Sequence, residues 1–70
     1  EIKEKIKKIL IQNNFSEETI KVWFDPLGIE LDGEKIYIKF QHKFLYENYK
    51  TKFKDIIENT LQLDFKYKII

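Results

Sequence analysis

The chain has 70 residues, 43% of them hydrophobic and 16% aromatic, and its 13 basic and 12 acidic residues give a net charge of +1. This length fits one small domain over residues 1–70, and the charge balance argues against a dedicated polyanion-binding protein. Cysteine is absent, which excludes disulfides, thiolate nucleophiles and cysteine-bound metals. The sequence has no apolar run of about 18 residues and no signal-peptide pattern. We therefore expect a cytoplasmic protein without a membrane partner.

A first amphipathic helix is predicted over about residues 2 to 12. Four apolar residues recur there at helical spacing: Ile2, Ile6, Ile9 and Leu10. Lysines occupy the remaining positions of this segment, and they are predicted to form a solvated face, with Glu4 close to Lys7 and Lys8.

A second helix is predicted to begin after Ser16. Ser16 is a suitable N-cap, and Glu17 and Glu18 follow it in the first turn, where the helix dipole favours acids. Pro26 ends the helix, because it lacks an amide hydrogen and disfavours helical geometry at the preceding residue. Three apolar residues share one face and are predicted to lie in the core: Ile20, Trp23 and Phe24.

A β-hairpin is predicted around Asp32-Gly33, the preferred pair for a two-residue type I′ turn. Pairing about that turn places Ile29 opposite Ile36 and Leu27 opposite Ile38. One face of the hairpin is then apolar, with Leu27, Ile29, Leu31, Ile36, Ile38 and Phe40. The other face carries Glu30, Tyr37 and Lys39.

A long helix and a final strand complete the predicted fold. Apolar residues cluster on one side of a helix over about residues 42 to 61: Leu45, Tyr49, Phe53, Ile56, Ile57 and Leu61. After it, four apolar residues alternate with polar ones, as in a half-buried strand: Leu63, Phe65, Tyr67 and Ile69. The sequence therefore predicts an α+β domain of order ααββαβ, in which helices pack on a three-stranded sheet.

The residue inventory argues against an enzyme. The chain has one Ser and one His; Ser16 is assigned to capping, and His42 is interpreted as a surface or capping residue. No carboxylate pair stands out for acid–base catalysis, and Gly28 and Gly33 form neither a phosphate loop nor a GxxG clamp. We expect no catalytic residue, metal or cofactor.

Phe44 is the best functional candidate in the sequence. On a helical projection it lies about 150° from the centre of the apolar side of the long helix, so it is predicted to point outward. An exposed aromatic beside Lys43 is typical of protein interfaces. In the alternative interpretation the helix begins later and Phe44 packs at the sheet edge.

A stripe of lysines on the same predicted helix is a second candidate. Lys43, Lys50 and Lys54 fall on one face, where they could contact a phosphate backbone while Tyr46 stacks on a base. Glu47 and Glu58 lie near this stripe, so an ion-paired solvated face is the alternative. All 13 basic residues are Lys, and the absence of Arg disfavours sequence-specific DNA recognition.

Three stretches, taken in order, resemble the N-terminal domain of bacterial replication initiators of the DnaA family. These are residues 19–27 with their Trp-Phe-Asp-Pro-Leu ending, residues 31–38 of the hairpin, and Phe44 with the helix through Phe53. The similarity runs from about Ser16 to Ile70. It implies a KH-like domain that recruits the replicative helicase and regulatory proteins to the origin, with weak self-association and weak or no binding of single-stranded DNA.

The resemblance also implies roles for particular residues. Phe44 matches the aromatic that begins the third helix of the family and contacts the helicase. Thr19 stands where the family has an acidic contact residue, so Glu18 is the substitute candidate. The chain departs from the family at Asn48, where a Trp is common, at residues 41 and 42, where Pro-Asn is common, and in helix 1, which lacks the Trp used for self-association by some members.

The chain begins with Glu rather than Met, so we expect it to be part of a longer protein. The resemblance implies that an ATPase domain and an origin-reading domain would follow. Two alternatives to a docking domain remain open at this point. One is a weak single-stranded nucleic-acid-binding module that uses the lysine stripe, and the other is a purely structural or dimerisation domain.

Overall fold

Residues 2–70 are described by a computed structural model, in which four helices accompany one three-stranded sheet. The elements are α1 (Ile2–Gln12), α2 (Glu17–Trp23), β1 (Gly28–Asp32), β2 (Lys35–Phe40), α3 (Lys43–Lys52), α4 (Lys54–Leu61) and β3 (Asp64–Ile69). The predicted α+β class and ααββαβ order are confirmed, with the predicted third helix divided into α3 and α4.

The first two helices form as their patterns predict. The apolar stripe of α1 buries Ile6 and Leu10, and Ile20 of α2 is also fully buried. The Ser16 side chain caps α2 by accepting a hydrogen bond of 3.1 Å from the backbone N–H of Thr19.

One lysine of α1 does not belong to a solvated face. The Nζ of Lys3 donates to the backbone carbonyls of Asp25 and Leu27, at 2.7 and 2.8 Å. These carbonyls flank Pro26 in the turn after α2. The lysine therefore satisfies acceptors that no helix or strand pairs, and it ties α1 to the start of the hairpin.

The hairpin forms, but the predicted register is wrong by two residues. Ile29 pairs with Ile38, and Leu31 pairs with Ile36. The central turn residues are Gly33 and Glu34, with Gly33 at φ 64 and Glu34 outside the positive-φ region. Glycine at the first central position is the pattern of a type II′ turn. The shift of two residues keeps every side chain on its predicted face.

Strand β2 lies at the centre of the sheet. It pairs antiparallel with β1 and parallel with β3. Its inward side chains Ile36, Ile38 and Phe40 are all fully buried. The parallel connection from β2 to β3 runs through α3 and α4, as parallel pairing requires a crossover. The residues that alternate with the inward ones along all three strands form the opposite face of the sheet.

The predicted long helix is interrupted at Phe53, which has φ −111 and ψ −29. A straight helix over residues 42–61 would be about 30 Å long, as long as the largest dimension of the molecule, 29 Å. The bend instead places α3 against β2 and α4 against α1. The buried Phe53 ring meets Phe15 and Phe24 edge-on, with centroids 5.0 and 6.4 Å apart. This core contact compensates for the interrupted helix.

Candidate functional site

Phe44 lies in the first turn of α3 and is 66% exposed. The prediction that it points outward is confirmed, and the alternative of a side chain packed at the sheet edge is wrong. The ring is not free of neighbours, however. It meets Trp23 edge-on, with centroids 5.3 Å apart and an interplanar angle of 73°.

Trp23 was predicted to be a core residue, and it packs against the core, although its side chain is only partly buried. Its ring lies against α3, in contact with Phe44 and Lys52. The Nζ of Lys52 lies 5.9 Å from the Trp23 ring centroid, within range of a cation–π interaction. Val22, the preceding residue, is 51% exposed. We refer to Val22, Trp23, Phe44 and Lys52 as the aromatic surface.

The sequence contained a signal for this arrangement. Phe44, Asn48 and Lys52 are spaced by four residues, so they lie along one face of α3. The contacts of Phe44 and Lys52 with Trp23 show that this face is turned toward α2. The Oδ1 atom of Asn48 is buried without a hydrogen-bond partner. A buried polar atom without a partner is destabilising, so the face is not optimised for stability alone.

Of the other residues predicted for partner binding, Thr19 lies on α2. It is four residues before Trp23 in α2, on the same helical face. Its Oγ1 accepts a hydrogen bond of 2.9 Å from Ser16 Oγ, so part of its polar capacity serves the helix cap. Glu18 is exposed, but it lies about 140° around α2 from Trp23. Lys43 is exposed at the start of α3, next to Phe44.

The predicted lysine stripe is divided by the helix break. Lys43 and Lys50 are exposed on α3, whereas Lys54 begins α4 and is partly buried. Tyr46 is also partly buried. Its ring packs edge-on against Phe40 at 5.3 Å, and the Nζ of Lys50 lies 5.8 Å from its centroid. The Tyr46 ring therefore packs against neighbours within the chain and is not free to stack on a base.

The alternative of an ion-paired stripe is also wrong. Within residues 2–70, ion pairs with a nitrogen–oxygen distance of 4.0 Å or less join Lys39 to Glu30 and Lys66 to Asp64. Both pairs lie on the sheet. Glu58 instead accepts a hydrogen bond from the hydroxyl of Tyr67.

The Tyr67 hydroxyl links β3 to both α3 and α4. Besides donating to Glu58, it lies 3.4 Å from the hydroxyl of Tyr49. Burial raises the pKa of Tyr49 to about 12, with a further upward contribution from the negative charge of Glu58. Burial, together with the hydrogen bond to Glu58, also raises the pKa of Tyr67 above its ordinary value. This cluster could not be predicted from the sequence pattern, because its members lie on three different elements.

Residues 2–70 contain no group of three or more His, Cys, Asp or Glu side chains placed to hold a metal ion. None of the helices described here is long and apolar enough to cross a membrane. No protein-family model matches the chain, and neither a curated protein nor a solved structure is detectably similar to it.

Proposed function

We propose that this chain is the protein-docking domain of a DnaA-type replication initiator. In this role it brings the replicative helicase and regulatory proteins to the origin and self-associates weakly. The single observation that carries the proposal is the exposed ring of Phe44, seated on Trp23. The same residue occupies the position that the family resemblance assigns to helicase contact.

The physical properties of the aromatic surface suit a binding role. Aromatic side chains supply large contact areas and are enriched among the residues that dominate binding energy. The edge-on contact with Trp23 restricts the Phe44 ring before binding, which reduces the entropy lost when a partner covers it. Val22, the residue before Trp23, also exposes apolar area.

The charges near the aromatic surface indicate the chemistry of the partner. Lys52 lies over Trp23, and Lys43 precedes Phe44 in the chain. A partner that offers an apolar pocket with acidic groups at its rim would complement both features.

Trp23 is the only Trp in the chain, and this makes the proposal directly testable. The isotope-labelled domain should be titrated with the replicative helicase of the same organism while the indole N–H resonance is followed by NMR. The proposal expects this resonance to shift or broaden together with the amides of Val22 and Phe44. A titration that leaves these signals unchanged, or that perturbs only the hairpin, would contradict it.

A further inference from the structure

The outward face of the sheet is a second surface, separate from the aromatic surface. Its side chains form three rows across the strands β1, β2 and β3: Asp32, Lys35 and Asp64; Glu30, Tyr37 and Lys66; Gly28, Lys39 and Lys68. Of these nine residues, Tyr37 is partly buried and the others are exposed. Within residues 2–70 no helix covers this outer sheet face.

Charge is distributed unevenly along the outer sheet face. The row at the hairpin end has two acids and one lysine, and the middle row has one of each beside Tyr37. The last row has two lysines, Lys39 and Lys68, and Gly28 adds no side chain to it. Formal charge therefore rises from −1 through 0 to +2 across the three rows.

The pairing of Lys39 with Lys68 is unfavourable by itself. Like charges directly opposite each other on neighbouring strands are destabilising. Lys39 lies 4.0 Å from Glu30, whereas no acidic group lies within that distance of Lys68 in the described chain. Violations of local rules of this kind are expected where a protein binds a ligand, and here the ligand would be an anion.

A groove of about 350 Å³ lies between β2 and β3 on this face. Its walls are formed by the side chains of Tyr37, Lys39, Lys66 and Lys68, and its floor by the chain at Ile38 and Tyr67. Tyr37 makes no ring–ring contact with another aromatic of residues 2–70, although eight other aromatic side chains form a connected cluster on the inner side. Its ring is therefore the one tyrosine ring in this region left for an external partner.

We propose that the outer sheet face binds single-stranded nucleic acid through its backbone. Lys39, Lys66 and Lys68 contact phosphates, and Tyr37 stacks on a base. Lys66 and Lys68 are two residues apart on one strand, roughly 6.6 Å, a spacing that successive phosphates of an extended strand can match. An aromatic ring beside a row of cations is the combination that single-strand binders use without reading sequence.

This site differs from the predicted stripe on α3 and does not depend on the proposed docking role. Lysine contacts phosphate as a point charge, so the binding is independent of sequence. The exposed pairs that Lys39 and Lys66 make with acids are readily exchanged for phosphate, because surface pairs of this kind contribute little stability.

The test is a salt titration of fluorescently labelled oligo-dT, followed by anisotropy, with three charge-matched variants. Lys66→Gln/Lys68→Gln removes two cations from the outer sheet face. Lys5→Gln/Lys8→Gln removes two exposed cations from α1, and Lys43→Gln/Lys50→Gln removes two from α3. Tyr37→Ala tests stacking without a change in charge, and circular dichroism melting checks that each variant remains folded.

We expect the Lys66/Lys68 variant to bind about tenfold more weakly at low salt, and the slope of log K against log salt to fall by about 1.4, since each single-strand phosphate contact contributes about 0.7. Tyr37→Ala should weaken binding by roughly fivefold to a hundredfold with an unchanged slope. The α1 and α3 variants should remain near wild type.

Three results would overturn the proposal. The first is no binding of oligo-dT at low salt. The second is that the α3 variant loses at least as much affinity as the Lys66/Lys68 variant. Equal losses of affinity in all charge variants would mean diffuse attraction, and the largest loss in the α3 variant would place the contact on α3. The third is efficient displacement by poly-glutamate combined with wild-type affinity of Tyr37→Ala, which would identify an acidic-peptide surface instead.

Discussion

The rings of Phe44 and Trp23 meet edge-on, with centroids 5.3 Å apart, although Phe44 is two-thirds exposed. The contact joins the last residue of α2 to the first turn of α3. It gives an exposed aromatic a fixed position without burying it. This is the arrangement expected of a binding residue. The Phe44 ring should therefore contribute less to the free energy of unfolding than the buried aromatic rings do.

The first prediction concerns this difference in stability between exposed and buried aromatic rings. Phe44→Ala should lower the free energy of unfolding by only about 1 kcal/mol, the value of one edge-on aromatic contact. Phe53→Ala should lower it by about 3–5 kcal/mol, because that ring is fully buried. Urea denaturation of both variants measures the difference. Equal losses would show that Phe44 is part of the core.

The tyrosine cluster predicts a loss of stability at high pH. The pKa of Tyr49 is raised from 10.0 to about 12 in the folded state, and that of Tyr67 is also raised. Between pH 10 and about pH 12 the unfolded chain loses tyrosine protons that the folded chain retains. The contribution of these two tyrosines to the free energy of unfolding should therefore be constant below about pH 9 and decrease as pH rises past 10.

Urea denaturation across this pH range checks the prediction. The variant Tyr67→Phe serves as the control, because it leaves only Tyr49 to contribute, and its decrease should be shallower. A wild-type free energy of unfolding that is the same at about pH 8 and about pH 11 would contradict the assigned pKa directions.

The two glycines of the chain provide a matched pair for the hairpin. Gly33 has φ 64, which an L-residue adopts only with strain, so Gly33→Ala should destabilise the domain by about 1–2 kcal/mol. Gly28→Ala places its Cβ 3.6 Å from Lys39 Cβ, an ordinary contact, and should be neutral or slightly stabilising. Thermal melting distinguishes them. If Gly33→Ala is neutral, the turn is not centred on Gly33 and Glu34.

The buried Oδ1 of Asn48 predicts a stabilising substitution. Asn48→Leu removes an acceptor without a partner while keeping a similar branched shape, and it should raise the free energy of unfolding by about 1 kcal/mol. The melting temperature would increase by about 4–8 °C for a domain of this size. Asn59→Leu, an exposed change on α4, is the control and should stay within about 0.5 kcal/mol of wild type. A lower melting temperature for Asn48→Leu would indicate that the amide has a hydrogen-bond partner.

Periodicity in the sequence was sufficient to predict the element order and the faces of the strands, because burial requires one apolar side. It could not decide the hairpin register. A turn at Asp32-Gly33 and one at Gly33-Glu34 both obey the rules for hairpin turns, and they place the same side chains on the same faces. Only the rest of the fold distinguishes them.

The helix break and the position of Trp23 were also beyond the sequence pattern. The apolar stripe continues through Phe53, so it gives no sign that the axis bends there. Trp23 occupies a helical position beside buried residues, and its place at the edge of the core depends on how α2 and α3 approach each other. Phe44 was predictable because it lies almost opposite the apolar stripe of its own helix.

Whether Phe44 anchors a protein partner can be measured as the Kd of the domain for the replicative helicase of the same organism. Calorimetry should compare wild type, Phe44→Ala and Leu31→Ala, since Leu31 is an equally apolar side chain exposed on the hairpin. We predict that Phe44→Ala weakens binding by about 30-fold or more, as for an interface hot spot, while Leu31→Ala binds as wild type. Wild-type affinity for the folded Phe44→Ala domain, or equal weakening in both variants, would show that Phe44 is not the anchor.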